Sequence, residues 1–125
     1  MPRGGSNRLT NRHTAGAHAA NLSAAAPIFT ALGDATRLRI VSRLCQEGPL
    51  SISRLTDGTS ISRQAITKHL RVLSDAGLVE NERSGRERRW HVRQRELGQV
   101  RRYLEDISAQ WEDALARLQA LVEKP

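Results

Sequence analysis

Between Ser60 and Leu73 the chain reads SISRQAITKHLRVL. Ile61, Ala65, Ile66, Leu70 and Leu73 recur at helical spacing, and Ser62, Arg63, Gln64, Thr67, Lys68, His69 and Arg71 fill the places between them. The apolar set pins one side of a helix to a core and leaves the polar set outside. On a helix lying in a DNA major groove, Arg and Lys pair with guanine O6 and N7, Gln with adenine, and Thr with a thymine methyl or a phosphate. Ser62 at the helix start, with the amides behind it, suits a phosphate, and His69 is a further phosphate candidate. Taken alone, however, this face is better read as merely solvated, because Arg, Lys and Gln are ordinary surface helix formers.

The segment that follows changes the balance. Leu78 to Arg83 and Arg88 to Arg93 alternate as two short strands around a turn, Ser84 to Glu87. Arg83, Arg86, Arg88, Arg89 and Arg93 crowd this hairpin against Glu80, Glu82 and Glu87. Such clustering repels itself unless an anion answers it, so the tip, with Arg83, Arg86 and Arg88, is expected to grip sugar-phosphate or enter the minor groove. Trp90 and Val92 alternate with the arginines, which assigns them to core packing. With aromatics at 3% of the chain, a sheet that stacks RNA bases on exposed rings is disfavoured.

Four helices are expected ahead of the hairpin. Ser23 is read as the cap of the first, with Pro27 in its first turn, Ile28, Phe29 and Leu32 turned to the core, and Gly33 at its end. Asp34 caps a second, Ala35 to Gln46, whose stripe is Leu38, Val41 and Leu44 or Cys45, stopped by Gly48-Pro49. A short third, Ser51 to Asp57, buries Ile52 and Leu55 and breaks at Asp57-Gly58-Thr59. The fourth, Arg63 to Ala76, is capped by Ser62 and closed by Gly77, so the third and fourth form a helix-turn-helix. From Arg95, Leu97, Val100, Leu104, Ile107, Trp111, Ala114, Leu118 and Leu121 step by threes and fours. That stripe is long enough to call for a second chain, with Leu97, Val100, Leu104, Ile107, Trp111, Leu118 and Leu121 as the dimerisation set.

The expected fold is therefore mainly α with a small β-hairpin wing: a winged helix-turn-helix, dimeric through terminal helices. Its divisions are a flexible basic tail, 1–22, a DNA-binding domain, 23–94, and a dimerisation helix, 95–123. Two copies would present two reading helices to successive major grooves of an operator.

Composition agrees with a polyanionic partner. The formal charge is +7, split as net +10 over residues 1–103 and net −3 over 104–125, and 18 of the 20 basic residues are Arg. The lone cysteine, Cys45, excludes a disulfide framework and a thiolate-rich metal site within one chain. The N-terminus has no apolar h-region and nowhere do 18 apolar residues run together. A cytoplasmic protein without membrane partners is expected. No Gly-rich phosphate loop, metal-ligand set or Ser/Cys-His pairing supports an enzyme.

The stretches IFTALGDATRLRIVSRL and ISRQAITKHLRVLSDAGLVENERSGRERRWHV, followed by the terminal apolar helix, resemble the ArsR family of winged-helix repressors over roughly residues 26 to 122. The resemblance implies a homodimer that binds double-stranded operator DNA, often near its own gene, and represses until released. Metal-sensing relatives carry paired cysteines in the first helix of the reading motif, where this chain has SISRLTDG, or His and carboxylate ligands on the terminal helix, which here holds no His. A member without the familiar metal sites and without a cofactor is implied, its effector left open. Two other readings stand beside it: a redox- or metal-responsive repressor using Cys45, and a protein-interaction module acting through the terminal helix.

Overall fold

The computed structural model describes residues 23–123, so the expected tail lies outside the described residues. Helix α1 runs through residues 23–32. It is followed by α2 (Ala35–Glu47), α3 (Ile52–Thr56), α4 (Arg63–Asp75), β1 (Val79–Ser84), β2 (Glu87–Val92) and α5 (Gln94–Glu123).

Short polar side chains set the helix starts. Asp34 Oδ2 accepts from Arg37 N–H at 3.0 Å, Ser51 Oγ from Arg54 N–H at 3.2 Å, and Ser62 Oγ from Ala65 N–H at 3.1 Å. Each satisfies one of the first-turn donors that a helix cannot pair internally. Helix α4 ends as sharply. Gly77 adopts φ 80°, its N–H bonds to Ser74 O, and the Leu78 N–H reaches back to Leu73 O. This paired closure is a Schellman motif, which only a residue tolerant of positive φ completes cheaply. Leu78 O then accepts from Arg93 N–H at 2.8 Å, starting the hairpin directly off the end of the helix.

The antiparallel hairpin pairs Val79 with Val92 through Ser84 with Glu87. The turn is thus two residues, Gly85-Arg86, with positive φ at Gly85 alone, a II′ arrangement that suits strand twist. Leu50, in the α2–α3 connection, bridges to Trp90 on the other edge of β2 by a reciprocal pair of 2.8 and 3.0 Å bonds. The wing is thereby fastened at its root to the helical layer. On the opposite flank Arg43 reaches from α2 to the carbonyls of Arg54 and Leu55 at 3.2 Å while bonding Glu47 at 2.8 Å. A guanidinium there adds to the partners of the carbonyl end of α3, where Arg54 O also accepts the Asp57 N–H at 3.3 Å.

The core joins Ile28 and Ala31 of α1, Ile40, Val41 and Leu44 of α2, Leu55 of α3, Ile66, Leu70 and Leu73 of α4, then Leu78, Val79 and Val100. Phe29 of α1 sits against Tyr103 of α5, ring centroids 5.5 Å apart.

Three local expectations change. Ser23 is itself helical, so it is not the cap; the alanine run 24–26 favours helix and carries it back past that serine. On α2 the inward stripe is Ile40, Val41 and Leu44, whereas Leu38 is half exposed and Cys45 is exposed. Val41 and Leu44 keep their expected places, and Ile40 takes the inward position in place of Leu38. Finally, α5 packs on its own domain only through its first turns. Val100 is buried and Leu97 lies against the core, but Leu104, Ile107, Trp111, Leu115, Leu118, Leu121 and Val122 are all exposed.

Leu70 has no exposed surface. Leu70→Ala should lower unfolding free energy by about 2–5 kcal/mol through lost burial and the cavity left behind. Val72→Ala, one position from the buried stripe and 40% exposed, should shift it by no more than about 0.5 kcal/mol in the same urea titration.

Candidate nucleic-acid interface

Helices α3 and α4 meet through a tight bend at Asp57–Ile61. Gly58 takes φ 74°, and the Thr59 hydroxyl donates to Thr56 O at 2.9 Å. From this bend α4 emerges with Ile66, Leu70 and Leu73 buried beneath it. Burial of that row turns Arg63, Gln64, Lys68 and Arg71 outward, and all four are exposed. Ser62 is exposed too, its oxygen committed to the Ala65 amide. The amides of Arg63 and Gln64, in the first turn, have no acceptor among the described residues. They carry the partial positive charge of the helix start, along the axis beyond Ser62.

Thr67 is half-buried and its hydroxyl donates to Arg63 O at 2.8 Å. With that proton engaged on its own helix, Thr67 offers a methyl and an acceptor lone pair rather than a donor. His69, in contrast, leaves the row. Its Nδ1 lies 3.4 Å from Arg37 Nη1 and 3.9 Å from Asp34 Oδ2, at the seam between α4 and the start of α2. Asp34 is held below the usual carboxylate range, first by the Arg37 backbone N–H it accepts; partial desolvation opposes this, and the charges of Arg37 and His69 add to it.

The wing carries the second basic group. Arg83 stands directly opposite Arg88 in the ladder, one pair from the turn. Like charges so placed are destabilising. Arg88 is partly engaged, donating to Asn81 Oδ1 at 2.6 Å. Arg83 and Arg86 have no carboxylate within ion-pair distance among the described residues, while Arg89 lies 3.7 Å from Glu87. At the root, Arg93 reaches Glu80 at 3.8 Å and Glu96 at 3.2 Å, and His91 approaches Glu80 at 3.5 Å. Root charges are therefore answered internally and tip charges are not. Trp90 packs on the core as expected.

The structure thus brings Ser62, Arg63, Gln64, Thr67, Lys68 and Arg71 to one side of one helix and Arg83, Arg86 and Arg88 to the wing tip. Sequence reading missed Asn81, which positions Arg88. A polar residue at an otherwise core-facing register place, directly opposite Trp90, was its signal. Arg37, which by spacing only flanks the α2 stripe, links α1, α2 and α4, its Nε donating to Ala31 O and its Nη1 meeting His69 Nδ1. Among the described residues no group of three or more His, Cys, Asp or Glu is placed to hold a metal. Cys45 lies beside a shallow groove lined also by Leu44, Glu82, His91 and Leu97.

Helix, tight bend, exposed basic helix and basic hairpin together define a winged helix-turn-helix DNA-binding domain. Residues 32–82 match a helix-turn-helix domain family. The chain is 48% identical over 67 residues to the uncharacterized HTH-type transcriptional regulator YuzN of Bacillus subtilis, spanning 49% of this chain and 73% of that protein. It is 31% identical over 94 residues to the HTH-type transcriptional repressor SmtB of Mycobacterium tuberculosis, spanning 75% and 67%. An ArsR-like transcriptional regulator from Rhodococcus sp. RHA1 superposes with a TM-score of 0.69 at 39% identity, covering 82% of this chain and 96% of that one. The chain belongs to the ArsR family of winged helix-turn-helix transcriptional regulators.

Two outcomes check this electrostatic picture. Arg83→Glu, which replaces a like-charge pair by an opposite one, should stabilise the free protein by about 0.5 kcal/mol while weakening its binding to duplex DNA. A lowered Asp34 pKa means the fold favours the carboxylate. Its contribution is full above the ordinary carboxylate range and is lost as pH falls through the folded-state value. Asp34→Asn keeps a competent cap and should flatten that acid-side loss in thermal melts taken between about pH 3 and about pH 7.

Proposed function

We propose that the chain is a homodimeric repressor that reads an inverted-repeat operator in the cytoplasm, acting by binding and not by catalysis. The observation that carries this reading is the pattern of unanswered charge. Arg63, Lys68 and Arg71 on α4, and Arg83 and Arg86 on the wing, have no ion-pair partner among the described residues, whereas Arg93 at the wing root does. Phosphates of one duplex supply the missing partners. In this reading Arg63, Gln64, Thr67, Lys68 and Arg71 meet base edges or the flanking backbone, Ser62 and the first-turn amides hold a phosphate, and Arg83, Arg86 and Arg88 grip the adjacent strand.

Dimerisation follows from α5. A 30-residue helix spans about 45 Å, and past Tyr103 its large apolar side chains are exposed. Pairing of Leu104, Ile107, Trp111, Leu118 and Leu121 with a second copy buries them, with Leu97 and Val100 continuing the seam into each domain. Residues 95–123 then form the dimer element, 23–94 the reading domain and 1–22 a basic tail attracted to phosphate. The mycobacterial relative is a transcriptional repressor by name, which favours repression over activation. Release from the operator needs neither a cofactor nor a family-type metal site.

A duplex enriched by the chain from a random-sequence pool provides the test. Gln64→Ala and Thr67→Ala should change the preferred sequence, and Arg86→Ala should weaken all duplexes alike and reduce the log–log salt slope by about 1. Equal affinity for the enriched and a scrambled duplex at moderate salt would contradict the proposal. Leu104→Glu with Leu118→Glu should sediment as a monomer and bind the enriched duplex at least about tenfold more weakly, since one half-site is lost.

A further inference from the structure

His69 sits on the reading helix but faces away from the row that reads. Its Nδ1 is 3.4 Å from the Arg37 guanidinium. Arginine only donates, so a neutral His69 accepts at Nδ1 and carries its proton on Nε2. The same nitrogen is 3.9 Å from Asp34 Oδ2. That carboxylate caps α2 by accepting the Arg37 amide, and Arg37 Nε bonds the Ala31 carbonyl at the end of α1. Arg37 therefore ties α1 to α2, and its guanidinium meets the imidazole of α4. The charged groups against it are Asp34, from the turn between α1 and α2, and Arg37, from α2; α1 is linked to it through Arg37, and on α4 its sequence neighbours are Lys68 and Leu70.

We infer that His69 is a positioning residue whose protonation state sets how the reading helix is held against α2, making sequence discrimination pH-dependent. The inference rests on the DNA-reading role proposed above. When His69 is neutral, the Arg37 bond closes the joint. A proton on Nδ1 removes that acceptor, places like charge beside Arg37, and leaves Asp34 as the attractive partner. Asp34 must then divide itself between the imidazolium and the α2 cap. The joint has two alternative pairings of the same three side chains, and histidine changes charge within the physiological range. Movement of α4 against α2 displaces Gln64 and Thr67 from base edges, while phosphate attraction survives or grows with the added charge. Discrimination is lost and overall affinity is not.

The experiment uses the full chain, the duplex it enriches from a random pool, and a scrambled duplex of equal composition. Between about pH 8 and about pH 5.5 the affinity ratio of the two duplexes should fall at least about threefold in the unsubstituted protein. It should stay level in His69→Gln, which keeps an acceptor but does not titrate. His91→Asn should retain the step. In DNA-free protein, the NMR resonances of the Arg37 backbone N–H and Nε–H should titrate together with the His69 ring and stop doing so in His69→Gln. An equal fall of the ratio in His69→Gln, or Arg37 resonances indifferent to His69 protonation, would overturn the inference. Failure to enrich any duplex would instead sink the DNA-reading role, and the Arg37 resonances would then decide the joint by themselves.

Discussion

The burial of one row of α4 is the constraint on which the rest depends. Ile66, Leu70 and Leu73 are almost wholly withdrawn from water, and they share one core cluster with residues of the other helices and of the start of β1. Rotating α4 about its axis would expose this row, which at a few kcal/mol per buried aliphatic side chain is more than a marginal domain tolerates. The outward direction of Arg63, Gln64, Lys68 and Arg71 is thus enforced by packing. A polar helix face becomes a defined surface because its other face has no alternative.

Placement of the wing follows from the same helix. The Schellman closure at Gly77 delivers Leu78 and Val79 into the core and launches β1 without an intervening loop, and the Leu50–Trp90 bridge prevents the hairpin from swinging. Rigid attachment makes the charge distribution along the hairpin meaningful. Glutamates at the root neutralise Arg93 and approach His91, whereas the tip keeps Arg83 opposed to Arg88. Electrostatic strain retained at the tip lowers the stability of the free protein slightly and is relieved by a polyanion.

Much of this is legible in the sequence. The helix caps at Asp34, Ser51 and Ser62 were readable because short side-chain acceptors followed by an apolar period have one local solution. The hairpin was readable because glycine between alternating strands fixes the register, and the Arg83–Arg88 opposition follows from that register. The exposed polar residues of α4 were legible as types and positions. Less legible was everything that depends on rotation of one element against another. Leu38 and Cys45 share a plausible stripe with Val41, yet α2 turns Ile40 inward instead. The α5 stripe is continuous in sequence, but only its first turns find a surface within the same chain. His69 is indistinguishable by spacing from the polar residues around it, and only the approach of Asp34 and Arg37, more than 30 positions earlier in the chain, takes it out of the reading row.

The central claim is that one side of α4 and the wing tip meet a single duplex. Mapping amide and side-chain chemical shifts of the labelled full chain during titration with the enriched duplex tests it most directly. The account predicts changes concentrated at residues 62–71 and 83–88, with the arginine Nε–H signals of the wing tip among the largest. Changes confined to α5, or spread evenly over every basic residue including Arg93 at the wing root, would contradict it.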